Sequence, residues 1–490
     1  MQKNLIAIVG TTGVGKSNLA IELAKRFNGE VINADTLQVY KGLDIATNKV
    51  TEAEKCSIPH HLMDFLDPSE EYTVKDFISQ ATEVIEQIQS RNRIPILVGG
   101  THYYVQSLLW HQSIISEDTA EADNIKNLVP HSSISEELAN KIITLLDKSD
   151  PAKFSFYNSE EKIVLSKEMH KILEIVDPVM SQKWHPHNDR KIRRSLEIFL
   201  SSGKQHSQLI CEQQEIEIPH NGLRYKTLIF WLYAEPEVLQ ARLDQRVEKM
   251  LLNGLVKELV EMRQQCNRGL VVGATTNSSV LPVSLDYTRG ILQAIGFKEF
   301  DEYLLRYSAA PSSKEEKELF NKSVEEMKLV TRQYARKQVK WIRNRLVKKC
   351  VESNEEFLKS NSTLNPENKC GADEENKKLN GLIAPGKVVH LFLLDATVFL
   401  SEKPLPEPEE VNELYKELTK NTVKSQQWVK RTCSICLTRN SKSQLKKNLP
   451  VSNREFYGDL EWEIHLKSSQ HRKNIKYHRD QNIDNSKLEK

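Results

Sequence analysis

The chain has 490 residues, with 69 Lys and Arg against 67 Asp and Glu, a formal net charge of +2. That length allows two or three domains and a large core, and the near-neutral balance requires any nucleic-acid affinity to come from local patches. Seven scattered cysteines (Cys56, Cys211, Cys266, Cys350, Cys370, Cys433, Cys436) do not read as a disulfide framework and favour a reducing compartment, and no run of 18 apolar residues is present to span a membrane.

The apolar run Leu5-Ile6-Ala7-Ile8-Val9 predicts a short buried strand, placed too near the start to leave room for a presequence, so a cytosolic or nuclear location is expected. Directly after it, Gly10-Thr11-Thr12-Gly13-Val14-Gly15-Lys16-Ser17 fits G-x-x-x-x-G-K-[ST], the phosphate-cradling P-loop. Its glycines let backbone N–H groups turn inward on an anion, Lys16 adds a point charge, and the Ser17 hydroxyl can hold a metal ion. Asn18 to Lys25 reads as an amphipathic helix that Gly29 can end. Glu30 to Asp35 is a second strand, Thr73 with Asp76 caps a helix through Phe77, Val84 and Ile88, and Ile94 to Val98 is a third strand. This alternation predicts an α/β fold, a parallel sheet with helices on both faces.

From Gln112 to Lys183 the pattern turns helical and polar, which predicts an insertion domain. A strand returns at Lys226 to Ala234, followed by helices from Pro236 to Leu259 and Glu315 to Lys349, with Gly269 to Leu285 as an insertion loop. Residues 353–381 are poor in apolar side chains and are expected to be disordered. The resulting plan is a core of 1–111 and 185–350, an insertion of 112–184, a linker of 351–424 with a strand near 387–400, a small C-terminal module of 425–478 and a disordered tail of 479–490.

A P-loop does not say which phosphate it holds. A nucleotide hydrolase or kinase uses a second acidic metal ligand closing an apolar strand. Ile94 to Val98 instead runs into Gly99-Gly100-Thr101, and the run Leu391 to Asp395 lies far away behind the polar linker. Asp35 closes the second strand at the same sheet edge as the P-loop, where an α/β sheet places its ligand. It reads either as a helix N-cap or magnesium-shell ligand, or as a general base facing a nucleophile. Gln38 carries the donor and acceptor to read a base edge, and Tyr40 offers a stacking face.

The P-loop variant followed by Asn33-Ala34-Asp35-Thr36-Leu37-Gln38-Val39-Tyr40 resembles the tRNA dimethylallyltransferases. Four further blocks match in order: Ile58 to Asp64, Val98 to Tyr104, Ile295 to Phe300, and Thr331 to Gln338 with Trp341. The resemblance implies attack of the N6 amine of adenosine 37, beside the tRNA anticodon, on C1 of dimethylallyl diphosphate. It implies Asp35 as base, Thr12 near the reacting carbon, and a magnesium ion on Ser17 helping the P-loop and Lys16 hold the leaving diphosphate. Arg246 matches a family arginine placed against the diphosphate, with Arg242 one turn earlier; a helix-surface ion pair with Asp244 or Glu248 is the plainer alternative. Thr36, Leu37, Gln38 and Thr101 match positions along the tRNA channel. The basic run holding Arg190, Lys191, Arg193 and Arg194 resembles the segment that grips the anticodon arm, with Asn188 standing where the family usually has aspartate. His60 and His61 read as loop residues that order the tRNA channel.

Near the C-terminus, Cys433-x-x-Cys436 precedes His465 and His471, ligand types and end spacings that suit zinc and resemble matrin-type fingers that bind double-stranded RNA. Residues 425–490 hold 14 Lys and Arg against 7 Asp and Glu, a balance that favours an anionic partner. The expected partners are therefore tRNA and dimethylallyl diphosphate, the expected cofactors magnesium and zinc, and the expected state a monomer. A mitochondrial pool would need an alternative start outside this sequence. A P-loop kinase with an RNA-binding finger is the competing reading.

Overall fold

The computed structural model describes residues 4–111, 130–149, 159–215, 222–275, 283–306, 313–355 and 389–397, with 430–432, 455–457 and Leu466 beyond them. The chain divides into two compact units, one of Met1–Ile114 with Glu217–Thr422 and one of Ile115–Ile216 with Val423–Lys490.

The first unit opens with β1 (Asn4–Gly10), α1 (Lys16–Phe27), β2 (Gly29–Asn33), α2 (Glu52–Lys55), β3 (His60–His61), α3 (Val74–Ser90), β4 (Ile94–Val98) and α4 (His102–Leu109). The strands are apolar on both faces, the pattern of a parallel sheet covered on both sides. β1 pairs in parallel with β4 through Ile6↔Ile96 and Ile8↔Val98. α3 starts on the expected Thr73–Asp76 capping box and buries Phe77, Ala81, Ile85 and Ile88 at helical spacing. Asn28, at φ 51°, takes the left-handed position that closes α1. Gly29 does not end that helix; it already belongs to β2, where a Cβ would lie 2.8 Å from Ile96 Cδ1.

The second unit holds α5 (Glu136–Lys148), α6 (Ser159–Val176), α7 (Pro178–Lys183), α8 (Asp189–Ser202) and α9 (His206–Glu215). Ile142 and Leu146 of α5 share one core with Met169 and Leu173 of α6 and Ile192, Leu196 and Leu200 of α8. The helical insertion therefore runs to about residue 216 rather than stopping at 184. Buried Asp177 locks it, accepting Met180 N–H at 3.1 Å and Ser207 N–H at 2.8 Å.

The first unit resumes with β5 (Lys226–Tyr233), α10 (Pro236–Leu252), α11 (Leu255–Asn267), a hairpin of β6 (Ala274–Thr275) and β7 (Ser284–Leu285), α12 (Phe297–Leu305) and α13 (Lys314–Trp341). The helix expected across Pro236 to Leu259 is two helices, broken where Gly254 turns to φ 98°. α13 passes into a π-helical turn, Ile342–Val347, and helix continues to residue 355, so the linker does not begin at 351. β8 (Val389–Asp395) then joins the sheet beside β5, held at its start by Asn354, whose amide donates to Val389 O and accepts Val389 N–H, both at 3.1 Å. The full order is β3-β2-β4-β1-β5-β8. Most of the span expected to be disordered lies outside the described residues. β9 (Lys430–Thr432) pairs antiparallel with β10 (Glu455–Tyr457).

The paired histidines, expected in a loop, form the edge strand β3 along β2. His61 Nε2 lies 2.6 Å from Glu30 Oε2, and Arg91 and Arg93 reach the same carboxylate at 2.9 and 3.1 Å. Burial alone would raise the Glu30 pKa, but the hydrogen bonds from His61 and Arg91 more than offset it and hold the carboxyl below its ordinary 4.5. Its stabilisation is thus present above pH 4.5 and lost as the pH falls through the depressed value. Glu30→Gln should lose about 1–2 kcal/mol at neutral pH, since both arginines are partly solvated. Urea unfolding at pH 7 and pH 4 should show a smaller acid-induced loss in the variant than in the wild type.

Candidate active site

The P-loop spans the end of β1 and the start of α1. Gly10 has φ 152°, and a Cβ there would sit 2.6 Å from Leu232 O; Gly13 has φ 76°, and a Cβ would meet Leu243 Cδ2 at 2.7 Å. The backbone carbonyl leaves no room for a Cβ at Gly10, and the left-handed backbone disfavours one at Gly13. Lys16 Nζ donates to Thr11 O at 2.7 Å. Burial lowers the Lys16 pKa to about 8, partly opposed by Asp35 and reinforced by Arg246. Thr11 is only 2% exposed, whereas Thr12 lines the cleft.

Arg246, on α10, donates from Nη1 to Thr12 Oγ1 at 2.8 Å, and Arg242 Nε donates to Gly13 O at 2.7 Å. Burial brings the Arg246 pKa down to about 10, with Asp35 pulling it back up and Arg242 pushing it lower. The plainer ion-pair reading of Arg246 fails because both acidic neighbours are committed to α13. Asp244 pairs with Arg332 at 2.5 Å and Glu248 with Lys328 at 2.6 Å.

Asp35 follows β2 and starts a turn, not a helix, so the N-cap reading is set aside. Its Oδ1 accepts Leu37 N–H at 3.0 Å, and its own N–H donates to Asn33 Oδ1 at 3.2 Å. Oδ2 faces the Gly99–Gly100 turn: a Cβ on Gly100 would lie 3.3 Å from it. In that turn Thr101 Oγ1 accepts Thr36 N–H at 3.2 Å, tying the two segments together. Asp35, Thr12, Lys16, Ser17, Arg242 and Arg246 line one cleft of about 510 Å³. A side chamber of about 240 Å³ opens from Asp35, Thr12 and Arg246, with Leu37, Val247, Met250 and Met327 among its walls.

The IPP transferase family matches residues 38–345, and the isopentenyl transferase family matches residues 3–62. A tRNA dimethylallyltransferase from Schizosaccharomyces pombe is 41% identical over 352 residues, covering 72% of this chain and 70% of that protein. The tRNA dimethylallyltransferase of Mus musculus is 34% identical over 486 residues, covering 98% of this chain and 87% of its own. A crystal structure of a eukaryotic dimethylallyltransferase acting on tRNA superposes with a TM-score of 0.65 at 30% identity, covering 98% of each chain. The chain belongs to the tRNA dimethylallyltransferase family.

Other residues singled out in this family pattern fall into distinct settings. Gln38 spends its amide donor on Thr47 O and Asn48 O, at 3.0 and 3.1 Å, so its part is to hold the 41–50 loop as well as to line the cleft. Tyr40 is 3% exposed, which removes the stacking face expected of it. Asn188 caps α8, its side chain accepting Lys191 N–H at 3.4 Å; asparagine serves as well there as aspartate, so the departure costs the helix nothing. Arg190, Lys191 and Arg194 are exposed on α8, and the Lys191 ammonium lies 4.3 Å over the Trp184 ring. Arg193 instead turns inward to Glu197 at 2.7 Å and the Ser149 carbonyl, so it braces the helical unit rather than facing a phosphate. Cys433, Cys436, His465 and His471 lie outside the described residues, and no metal-binding cluster is present among the described ones.

Sequence reasoning named the Thr331–Gln338 block without giving its members work. Gln338 is 4% exposed; it accepts Thr12 N–H at 2.8 Å and donates to Gly100 O at 3.0 Å. His102, in the Val98–Tyr104 block, places Nε2 3.1 Å from Gly10 O, and burial with Lys16 nearby drives its pKa down to about 3, which favours the neutral ring. Glu258 accepts Ile45 and Ala46 N–H at 2.8 and 2.9 Å and pins the loop over the cleft. A glutamine or histidine on the apolar face of a helix was the available signal.

Because burial lowers the Lys16 pKa to about 8, a diphosphate beside it should pull a proton onto it at higher pH. Pyrophosphate titrated calorimetrically at pH 8.5 in two buffers of different ionisation enthalpy should show more proton uptake per ligand bound in the wild type than in Lys16→Ala. That variant should also bind at least about tenfold more weakly.

Proposed function

We propose that this chain transfers a dimethylallyl group from dimethylallyl diphosphate to N6 of adenosine 37 in the tRNA anticodon loop, giving N6-isopentenyladenosine. The observation that carries the reading is one chamber lined by Asp35, Thr12 and Arg246 together with the apolar Leu37, Val247, Met250, Ile295 and Met327 and the polar Thr36, Thr47 and Thr331. A hydrolase needs a polar, water-accepting site; a five-carbon allyl group needs apolar walls next to a phosphate cradle.

In this reading the N6 lone pair forms the new bond to C1 as the C1–O bond breaks and its electrons leave with the diphosphate. The N6 proton passes to Asp35, whose Oδ1 is fixed by Leu37 N–H. Lys16, Arg246 and Arg242 gather the growing charge on the diphosphate, and Thr12, held by Arg246, marks the boundary between phosphate and allyl group. Ser17 lines the cleft one residue beyond Lys16, and its hydroxyl with diphosphate oxygens makes the hard-oxygen donor set that suits magnesium. When bound, that ion supplies further neutralisation of the leaving group. Thr36, Leu37, Gln38 and Thr101 would order the acceptor loop, and the exposed Arg190, Lys191 and Arg194 would take RNA phosphates. Cys433, Cys436, His465 and His471 would hold zinc in a finger that adds RNA affinity from a cytoplasmic or nuclear pool.

The kinase reading is weaker on geometry. β4, beside β1, ends at Val98 and runs into Gly99–Gly100, and Asp395 ends β8, which is separated from β1 by β5. Asp395 Oδ1 is moreover occupied by Thr397 N–H at 2.8 Å.

The direct experiment is single-turnover transfer of labelled dimethylallyl diphosphate to an anticodon stem-loop with adenosines at 36, 37 and 38. Guanosine in place of adenosine 37 is the control. Asp35→Ala should lower the transfer rate by at least about 100-fold with RNA affinity within severalfold; loss of RNA binding instead would make Asp35 a structural residue. Removing residues 425–490 should weaken tRNA binding and flatten its salt dependence while some transfer remains. An unchanged salt slope would remove the finger from RNA recognition.

A further inference from the structure

Thr12 and Gly100 come from two turns that share no strand, and one side-chain amide joins them. Gln338 Oε1 accepts Thr12 N–H at 2.8 Å while its Nε2 donates to Gly100 O at 3.0 Å, across sequence separations of 326 and 238 residues. The first turn holds the phosphate cradle; the second carries Thr101, whose hydroxyl fixes Thr36 beside Asp35. The contact is tight, since a Cβ on Gly100 would come within 2.8 Å of Gln338 Nε2 and 3.3 Å of Asp35 Oδ2.

The element that delivers this amide is packed on one face and tied to its neighbour on another. Thr331, Ala335 and Gln338 lie buried on one face of α13 at helical spacing, with Tyr334 beside them in the cleft wall. Arg332 and Lys328 clamp α13 to Asp244 and Glu248 of α10, the helix that bears Arg242 and Arg246. The Thr12 amide is committed to Gln338, and its hydroxyl is held by Arg246 in the wall of the cleft.

We propose that Gln338 is a positioning residue that sets the distance between the leaving-group cradle and the general base by bridging the Thr12 amide and the Gly100 carbonyl. The proposal rests on the prenyl-transfer reading, in which Asp35 and the diphosphate act at opposite ends of one bond exchange. Only a side chain with an acceptor and a donor in one planar group makes both contacts. Methionine makes neither, and ionised glutamate keeps the Thr12 bond but sets a carboxylate oxygen against the Gly100 carbonyl. Protonated glutamate restores the donor. Burial beside Asp35 should raise the pKa of a glutamate at this position into the range where the change can be followed.

The test compares wild type, Gln338→Met and Gln338→Glu in single-turnover transfer to the anticodon stem-loop from pH 6 to 8.5, each variant rate divided by the wild-type rate at the same pH. RNA affinity and pyrophosphate affinity are measured alongside. The expected results are a rate about 10- to 100-fold lower in Gln338→Met with RNA affinity unchanged, and a Gln338→Glu ratio that climbs severalfold as the pH falls. Pyrophosphate should bind more weakly to both variants at pH 8. A purely structural glutamine would lower thermal stability without a pH-dependent ratio. Variants within twofold of wild type in both rate and pyrophosphate affinity, or a ratio flat with pH, would overturn the proposal. Wild type that transfers nothing yet loses pyrophosphate affinity on Gln338→Met would sink prenyl transfer while sustaining the bridge.

Discussion

Everything near the cleft is organised around two cations held close together with one carboxylate. Lys16 and Arg246 both have their pKa lowered by burial, both are lowered further by a neighbouring cation, and both are pulled back by Asp35. Two unneutralised cations at low solvation are unfavourable unless an anion completes them. The cleft is therefore biased toward an anionic ligand. Its hydrogen bonds to Thr11 O and Thr12 Oγ1 hold the cations in place meanwhile.

Holding like charges together requires rigid support, and the fold provides it from distant parts of the chain. β1 brings the P-loop, β2 brings Asp35, and β4 brings the Gly99–Gly100 turn to the same end of one parallel sheet. α10 and α13 lie against one another through Asp244–Arg332 and Glu248–Lys328. Those pairs also keep the acidic residues of α10 away from its arginines, so Arg246 is left for Thr12. Glu258 does the corresponding job for the 41–50 loop with two backbone N–H groups.

Much of this was legible in the sequence, for reasons that are local. The P-loop glycines, the Thr73–Asp76 capping box and the strand–helix alternation each declare themselves within a dozen residues. So does Asp35, because a strand end in an α/β sheet is a site by topology. What stayed hidden depends on contacts between segments far apart in sequence. Tyr40 looked like a stacking face and is core; Arg193 looked like its three basic neighbours and is the one turned inward to Glu197. His60 and His61 looked like loop residues because a two-residue edge strand has no periodicity to read. The boundary at 184 was misplaced because α8 carries its cations on one face and its core contacts on the other.

The P-loop in this chain also shows how a phosphate cradle can be turned to a different bond. In phosphoryl transfer the electrophile is phosphorus, so the reacting atom sits inside the cradle and water or a hydroxyl must reach it. Here Leu37, Val247, Met250 and Met327 are among the walls of the neighbouring chamber, and β4, next to β1, runs into glycine rather than a carboxylate. In the proposed reaction the cradle would receive charge as a leaving group departs, and the apolar side chains beside it would receive the allyl group. The physical difference between the two chemistries lies in what borders the P-loop, not in the loop itself. That is why the eight-residue motif alone could announce a phosphate and leave the reaction to be read from its surroundings.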